Sequence, residues 1–194
     1  FYESMNVRSL SVLGALLAVI TAPSRATEFD ILINEIAYNP FSGDDLDEFV
    51  ELYNRGPRAV DLSGWSFTEG ISYTFNAGWI LGPGEYLIVS PNANHAKQSY
   101  GIQNVAGDYA GKLDNSGEII TLVNAAGAVI SRVHYRDNGP WPGHADGLGP
   151  TLELVTPHEQ NDLPQKWASS LVLAGTPGRQ NSRYQPPQLA RILV

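Results

Sequence analysis

No cysteine occurs in this chain, which rules out a disulfide framework and any thiolate-bound zinc site. Positive charge is also scarce: 12 Lys and Arg stand against 20 Asp and Glu, a formal charge of −8 over 194 residues. With that sign, the attraction to phosphate backbones that dominates nucleic-acid affinity works against binding, so nucleic acid is not an expected partner. Neither a G-x-S-x-G elbow nor a G-x-x-x-x-G-K-[ST] loop is present, and serine-hydrolase and nucleotide-binding chemistry have no local support. The apolar run from Leu10 to Ile20 is shorter than the roughly 20 residues a membrane-crossing helix needs.

Gly (19) and Pro (13) are plentiful and fall as punctuation between short apolar runs, the mark of turn-rich β structure and not of a disordered tract. A chain of this length suits one domain with a real core and short extensions.

At the N-terminus, Arg8 supplies positive charge, Leu10 to Ile20 an apolar run, and Ser24-Arg25-Ala26 a small-x-small site. Residues 5–26 therefore read as a signal peptide and predict a secreted or cell-surface protein, with no membrane association after cleavage. The alternative is a buried N-terminal helix or a retained anchor. Residues 1–4 precede the single methionine and carry no fold meaning. Residues 27–181 are expected to form the folded domain, and 182–194 a linker or the start of a further domain. That last stretch opens on Tyr184-Gln185-Pro186-Pro187, a stiff extended signal, and ends in the apolar run Leu189 to Val194.

Strand candidates follow from apolar content between breakers: Phe29 to Ala37, Glu48 to Asn54, Ala59 to Leu62, Trp65 to Phe67, Tyr73 to Phe75, Tyr86 to Ser90, Glu118 to Val123, Val129 to Tyr135 and Thr151 to Val155. In Glu48 to Asn54 both faces carry apolar groups, so neither is marked as the inner one. Asn124 to Gly127 reads as a hairpin turn in which Gly supplies a positive φ. In its second arm Val129, Val133 and Tyr135 share one face, against Ile130, Arg132, His134 and Arg136 on the other. Pro91 to Tyr100 predicts one short helix. Eight or nine short strands with almost no helical periodicity predict an all-β, antiparallel β-sandwich.

INEIAYNPFSGDDLDEFVELYN at 33–54, DLSGWSF at 61–67, the Gly82-Pro83-Gly84-Glu85 turn before an apolar strand, and GTPGRQN at 175–181 together resemble the lamin tail domain family in its secreted bacterial form. The resemblance runs over about residues 30–181. It implies an immunoglobulin-like sandwich acting as a binding or spacer module. Secreted relatives of this kind often stand beside catalytic domains, and nuclear members engage proteins and nucleic acid.

Four groups of residues bear on chemistry. The acidic loop Asp44, Asp45, Asp47 and Glu48 has the oxygen donors calcium prefers but lacks the D-x-D-x-D-G spacing; a solvated loop is the alternative. Glu35 and Glu51 lie on neighbouring strand candidates, and paired carboxylates are what glycoside hydrolysis requires; strand glutamates that face solvent or accept backbone hydrogen bonds are the alternative. His95, His134, His144 and His158 show no metal-ligand spacing and read as surface or loop residues. Trp141, in a Gly- and Pro-rich loop, either offers an exposed ring to a sugar or a protein partner, or caps one end of the sandwich.

The expectation is thus a secreted, non-enzymatic binding or spacer module in a larger extracellular protein, with no catalytic, cofactor or metal residues assigned and with a protein or cell-surface glycan as partner. A carbohydrate-binding module attached to a secreted hydrolase is the second reading. An enzyme using paired carboxylates is a distant third.

Overall fold

Alternating and continuous apolar runs in this chain need two layers to bury them, and the computed structural model, which describes residues 30–157 and 161–186, supplies these as two main sheets. The strands are β1 (Ile31–Ala37), β2 (Phe49–Asn54), β3 (Val60–Asp61), β4 (Ser66–Glu69), β5 (Tyr73–Thr74), β6 (Ile80–Leu81), β7 (Tyr86–Val89), β8 (Val105–Ala106), β9 (Ile119–Val123), β10 (Val129–His134), β11 (Pro150–Leu154) and β12 (Trp167–Leu173). One helix, α1 (Ala93–Tyr100), interrupts them. The larger sheet has the order β12-β11-β1-β2-β7-β8 and the smaller β10-β9-β4-β5, while β3 and β6 form a separate pair. Every pairing is antiparallel except β7 with β8.

Between the sheets, Ile36, Val50, Leu52, Leu87 and Val89 from the larger one meet Phe67, Ile120, Leu122 and Val133 from the smaller one in a single buried core. This is the β-sandwich that the strand pattern predicts, of the immunoglobulin-like kind that the resemblance implies. Short breaks account for the extra strands: β6 and β8 are two-residue pieces beside Gly and Pro turns. The third addition, β12, comes from Trp167 to Leu173, which reads from sequence only as an exit path.

The larger sheet is covered on its outer face as well, which explains why β2 is apolar on both sides. Val50 and Leu52 enter the core, whereas Phe49 joins Ala37, Ile88, Val105 and Ala96 of α1 in a second cluster. The Phe49 and Tyr100 rings meet edge to face with centroids 5.3 Å apart. Asn92 caps α1 by accepting the His95 N–H at 2.9 Å, and Gly101 ends it with φ of 67°, the left-handed conformation glycine adopts at least cost.

Four of the pairings carry a register shift, and two of these shifts bear on the predicted strand faces. In β1 the pairing with β2 shifts between Ile33 and Glu35, and a one-residue insertion of this kind turns neighbouring side chains away from strict alternation. There the Ile33 N–H donates to Ser131 Oγ at 3.0 Å, and the Ile33 carbonyl accepts from Asn161 Nδ2 at 3.0 Å, so the kink is tied to the opposite sheet. In β10 the shift falls between Val129 and Ser131. Val133 and Tyr135 are buried on one face as predicted, together with Ser131, but Val129 is exposed, because the bulge separates it from the rest of the strand. The hairpin turn is as read: Asn124 accepts from the Ala126 and Ala128 N–H groups, and Gly127 has φ of 80°. The predicted signal peptide at 5–26, the end at Leu189 to Val194, and His158 lie outside the described residues.

Candidate functional site

Three glutamates stand in a row across the outer face of the larger sheet. Glu35 of β1 is the register partner of Glu51 on β2 and of Glu153 on β11, so cross-strand geometry brings their side chains together. All three are fully buried. Glu35 and Glu51 are the pair singled out from sequence; Glu153 was missed, since nothing in the sequence tells which strand lies on the far side of β1.

The cover over this row is the segment that follows β12. Thr176 donates its N–H to Glu35 Oε1 at 2.8 Å, and Thr151 donates its hydroxyl to the same oxygen at 2.5 Å. The Gly178 N–H reaches Glu51 Oε2 at 2.6 Å, and Asn34 Nδ2 donates to Glu51 Oε1 at 2.7 Å. Glu153 Oε2 accepts from Ser182 Oγ at 2.8 Å and from the Arg183 N–H at 2.9 Å. Asn181 completes the clasp through Asn34 and the Leu154 carbonyl. Gly175, with φ of 81°, passes so near that a Cβ there would collide with the Glu35 carboxyl and the Thr151 side chain. Glycine is required for that approach.

Electrostatics of the row favour retained protons. Burial, the largest effect, pushes the Glu35 carboxyl from 4.5 up to about 7, against the hydrogen bonds from Thr151 and Thr176 and with added repulsion from Glu153. Burial and then the Glu35 charge push Glu51 well above the ordinary range. Geometry says the same. The Thr176 hydroxyl lies 2.9 Å from Glu35 Oε2 and 2.9 Å from Glu153 Oε1, yet it has one hydrogen to give. Both contacts are hydrogen bonds only if one of the two carboxyls brings its own proton.

This arrangement has no room for glycoside hydrolysis. Two working carboxyls must flank a substrate bond, and here the oxygens of Glu35 and Glu51 are engaged by the clasp beneath a closed cover. The row is a fastening for residues 175–183.

The acidic loop does not gather around a cation. Asp44 caps the 3-10 turn Asp45–Asp47 by accepting the Leu46 N–H at 2.9 Å, and Asp45 lies 3.7 Å from Lys112. Asp47 accepts from Ser42 Oγ at 2.6 Å and meets His95 Nε2 at 2.7 Å. Burial raises the Asp47 carboxyl, but these two hydrogen bonds outweigh it and hold the group below its ordinary value. Glu48 turns inward instead, accepting from Tyr109 Oη and the Leu113 N–H, both at 2.9 Å. Burial lifts it to about 7. Among the described residues no group of three or more His, Asp or Glu is arranged to hold a metal ion.

His95 is a correction to the sequence reading. It belongs to α1 and is partly buried, with Asp47 on one side and Ser99 Oγ 3.2 Å away. Asp47, His95 and Ser99 resemble a hydrolytic triad in composition only: both partners meet the same ring nitrogen, Nε2, whereas a triad uses the two nitrogens separately. His134 and His144 are exposed on β10 and the 3-10 turn Gly143–Ala145. Trp141 is 7% exposed and packs on Trp167 with ring centroids 6.3 Å apart; it caps the core and presents no free ring.

Beside the clasp lies a cleft of about 730 Å³. Ala37, Pro40, Phe41, Leu148, Pro150 and Leu173 supply its apolar walls, and Ser42, Asp47, Ser99, Tyr100 and Thr151 its polar positions. Sequence reasoning did not find it, because its walls come from four separate stretches. Among the described residues no helix is long and apolar enough to cross a membrane.

Residues 24–137 match the family described as Lamin Tail Domain; Glu153 and the 175–183 cover lie beyond the matched residues. No curated protein matches the chain. Among solved structures, it is similar to a DUF4876 family protein from Bacteroides thetaiotaomicron, with 14% identity and a TM-score of 0.49. That similarity covers 69% of this chain and 65% of the other, less than two thirds of its length.

Proposed function

From the premise that this chain belongs to the lamin tail domain family, we propose that it works as a non-enzymatic binding or spacer module, exported and joined to other domains of an extracellular protein. The observation that carries this reading is the burial of the carboxylate row. The groups best suited to acid-base chemistry are spent on holding the chain's own 175–183 segment, and what remains accessible is surface. The carbohydrate-binding alternative has lost its anchor, since the Trp141 ring is covered by the fold. Protein is therefore the partner class we favour over glycan.

The test pairs an activity assay with a glycan array. The purified protein should leave a panel of chromogenic glycosides and esters unconverted and give no array signal above background. Turnover lost in Glu35→Gln or Glu51→Gln would overturn the non-enzymatic reading. A reproducible glycan signal would restore the carbohydrate alternative.

A further inference from the structure

Phe41, Leu148 and Leu173 are 79%, 60% and 74% exposed, and they are not scattered. All three line the same cleft, and at Gly149 a Cβ would stand 2.7 Å from Leu173 Cδ2 and 4.0 Å from Phe41 Cβ. Large apolar side chains grouped around one depression mark a contact surface, whereas single exposed ones need no explanation. The cleft's volume lies within the ~300–1,000 Å³ range of ligand sites.

The polar side chains lining the cleft already hydrogen-bond within the protein. Ser42 donates to Asp47, Tyr100 Oη donates to the Asp47 carbonyl at 2.6 Å, Ser99 meets His95, and Thr151 donates to Glu35. A sugar would find few free hydrogen-bond donors there. One end of the cleft is acidic on balance: Asp47 lines it beside His95, and the exposed Asp44 and Asp45 lie on the adjoining turn, three carboxylates against the single Lys112 ammonium 3.7 Å from Asp45. The neighbouring β12 edge is closed to strand addition, because the Leu171 N–H donates to Ser182 Oγ at 2.8 Å and the Ser169 carbonyl accepts from Arg183 Nε at 2.9 Å. A guest must therefore enter by its side chains.

We propose that this cleft receives a short segment of another protein that carries apolar side chains next to a lysine or arginine. The apolar walls take the anchors, and the Asp44-Asp45-Asp47 end takes the basic group, with complementary charge setting its orientation. The inference rests on the protein-binding reading above and names the chemistry of the partner.

The test uses a phage library of random twelve-residue peptides selected on the full chain. It is run in parallel on the Phe41→Ser/Leu173→Ser and Asp44→Asn/Asp45→Asn double variants. These side chains are exposed, and unchanged circular dichroism melts confirm that the fold survives. Enriched sequences should pair leucine-, isoleucine- or phenylalanine-type residues with lysine or arginine. Their affinity should fall about tenfold or more on the apolar double variant, as expected for loss of an anchor, and also weaken on the acidic one. No enrichment, or enrichment of acidic sequences, overturns the proposal. Enrichment indifferent to both variants overturns the cleft while leaving a binding module with another surface. A concentration-dependent dimer abolished by Phe41→Ser/Leu173→Ser would put a second copy in the cleft and overturn the foreign segment.

Discussion

Asn34 and Asn181, 147 positions apart in sequence, exchange side-chain amide hydrogen bonds of 2.7 and 3.2 Å. Asn181 Nδ2 has two hydrogens for three acceptors, so the Asn34 carbonyl, 3.0 Å away, shares one with the Asn34 side chain while the other goes to the Leu154 carbonyl at 2.9 Å. The first strand of the sandwich and the segment after its last strand are thereby held at one point. The Asn34-Glu35 pair of the first block and the GTPGRQN block, which look like separate motifs in the sequence, are the two halves of one fastening.

Replacing Asn181 with alanine removes several buried hydrogen bonds and strands their partners. At about 1–3 kcal/mol for each buried group left unsatisfied, Asn181→Ala should cost about 3–4 kcal/mol in urea unfolding. Arg179→Ala, at an exposed position of the same segment, should stay within about 0.5 kcal/mol of the parent. Equal effects at the two positions would deny the clasp its role.

Stability should fall as pH rises from 5 to 8. Glu35 titrates at about 7 in the folded chain against an ordinary 4.5, and Glu51 is raised in the same sense. Between those values the folded state binds more protons than the unfolded one, so the slope of stability with pH is negative. The contribution is fully present below the ordinary value and is lost as pH passes through the raised one. Asp47, held below its ordinary 3.8, acts only in more acid solution. Urea midpoints taken across this window decide the matter, and a midpoint that climbs towards pH 8 would contradict the proton-sharing row.

The two glutamates should respond differently to amide replacement. A glutamine at position 35 can keep accepting from Thr151 and the Thr176 N–H, donate to the Thr176 hydroxyl, and release that hydroxyl to Glu153. At position 51 the partners of the two oxygens are N–H donors, from Asn34 and Gly178, so an amide nitrogen would face a donor. Glu35→Gln should therefore cost less in melting temperature than Glu51→Gln and should flatten the pH dependence.

Gly175→Ala should prevent the cover from closing, by collision with Glu35 and Thr151. Gly84 offers the control: it has φ of 73° and open space around it, so Gly84→Ala meets backbone strain alone, about 1–2 kcal/mol. Thermal melts of the two variants should differ widely, and similar melts would argue against a closely packed cover.

The trace of the sandwich was legible in the sequence because apolar runs are bounded by Gly, Pro and Asn turns, as at β1, β2, β7 and the β9–β10 hairpin. Burial of Glu35 and Glu51 was not. A glutamate within a strand carries no mark of the lid above it, and here the lid is supplied by residues more than a hundred positions downstream. Glu48 misled for a related reason: three aspartates precede it in a polar loop, yet it is the residue at which the chain turns into β2 and points inside. Trp141 was ambiguous because its Gly- and Pro-rich surroundings fit either an exposed ring or a cap, and its neighbour Trp167 is distant in sequence.

In a tethered protein, tension entering through β1 and leaving past residue 183 would bear on the Asn34–Asn181 amides and on the Glu153 contacts with Ser182 and Arg183 together with the backbone ladder of β1.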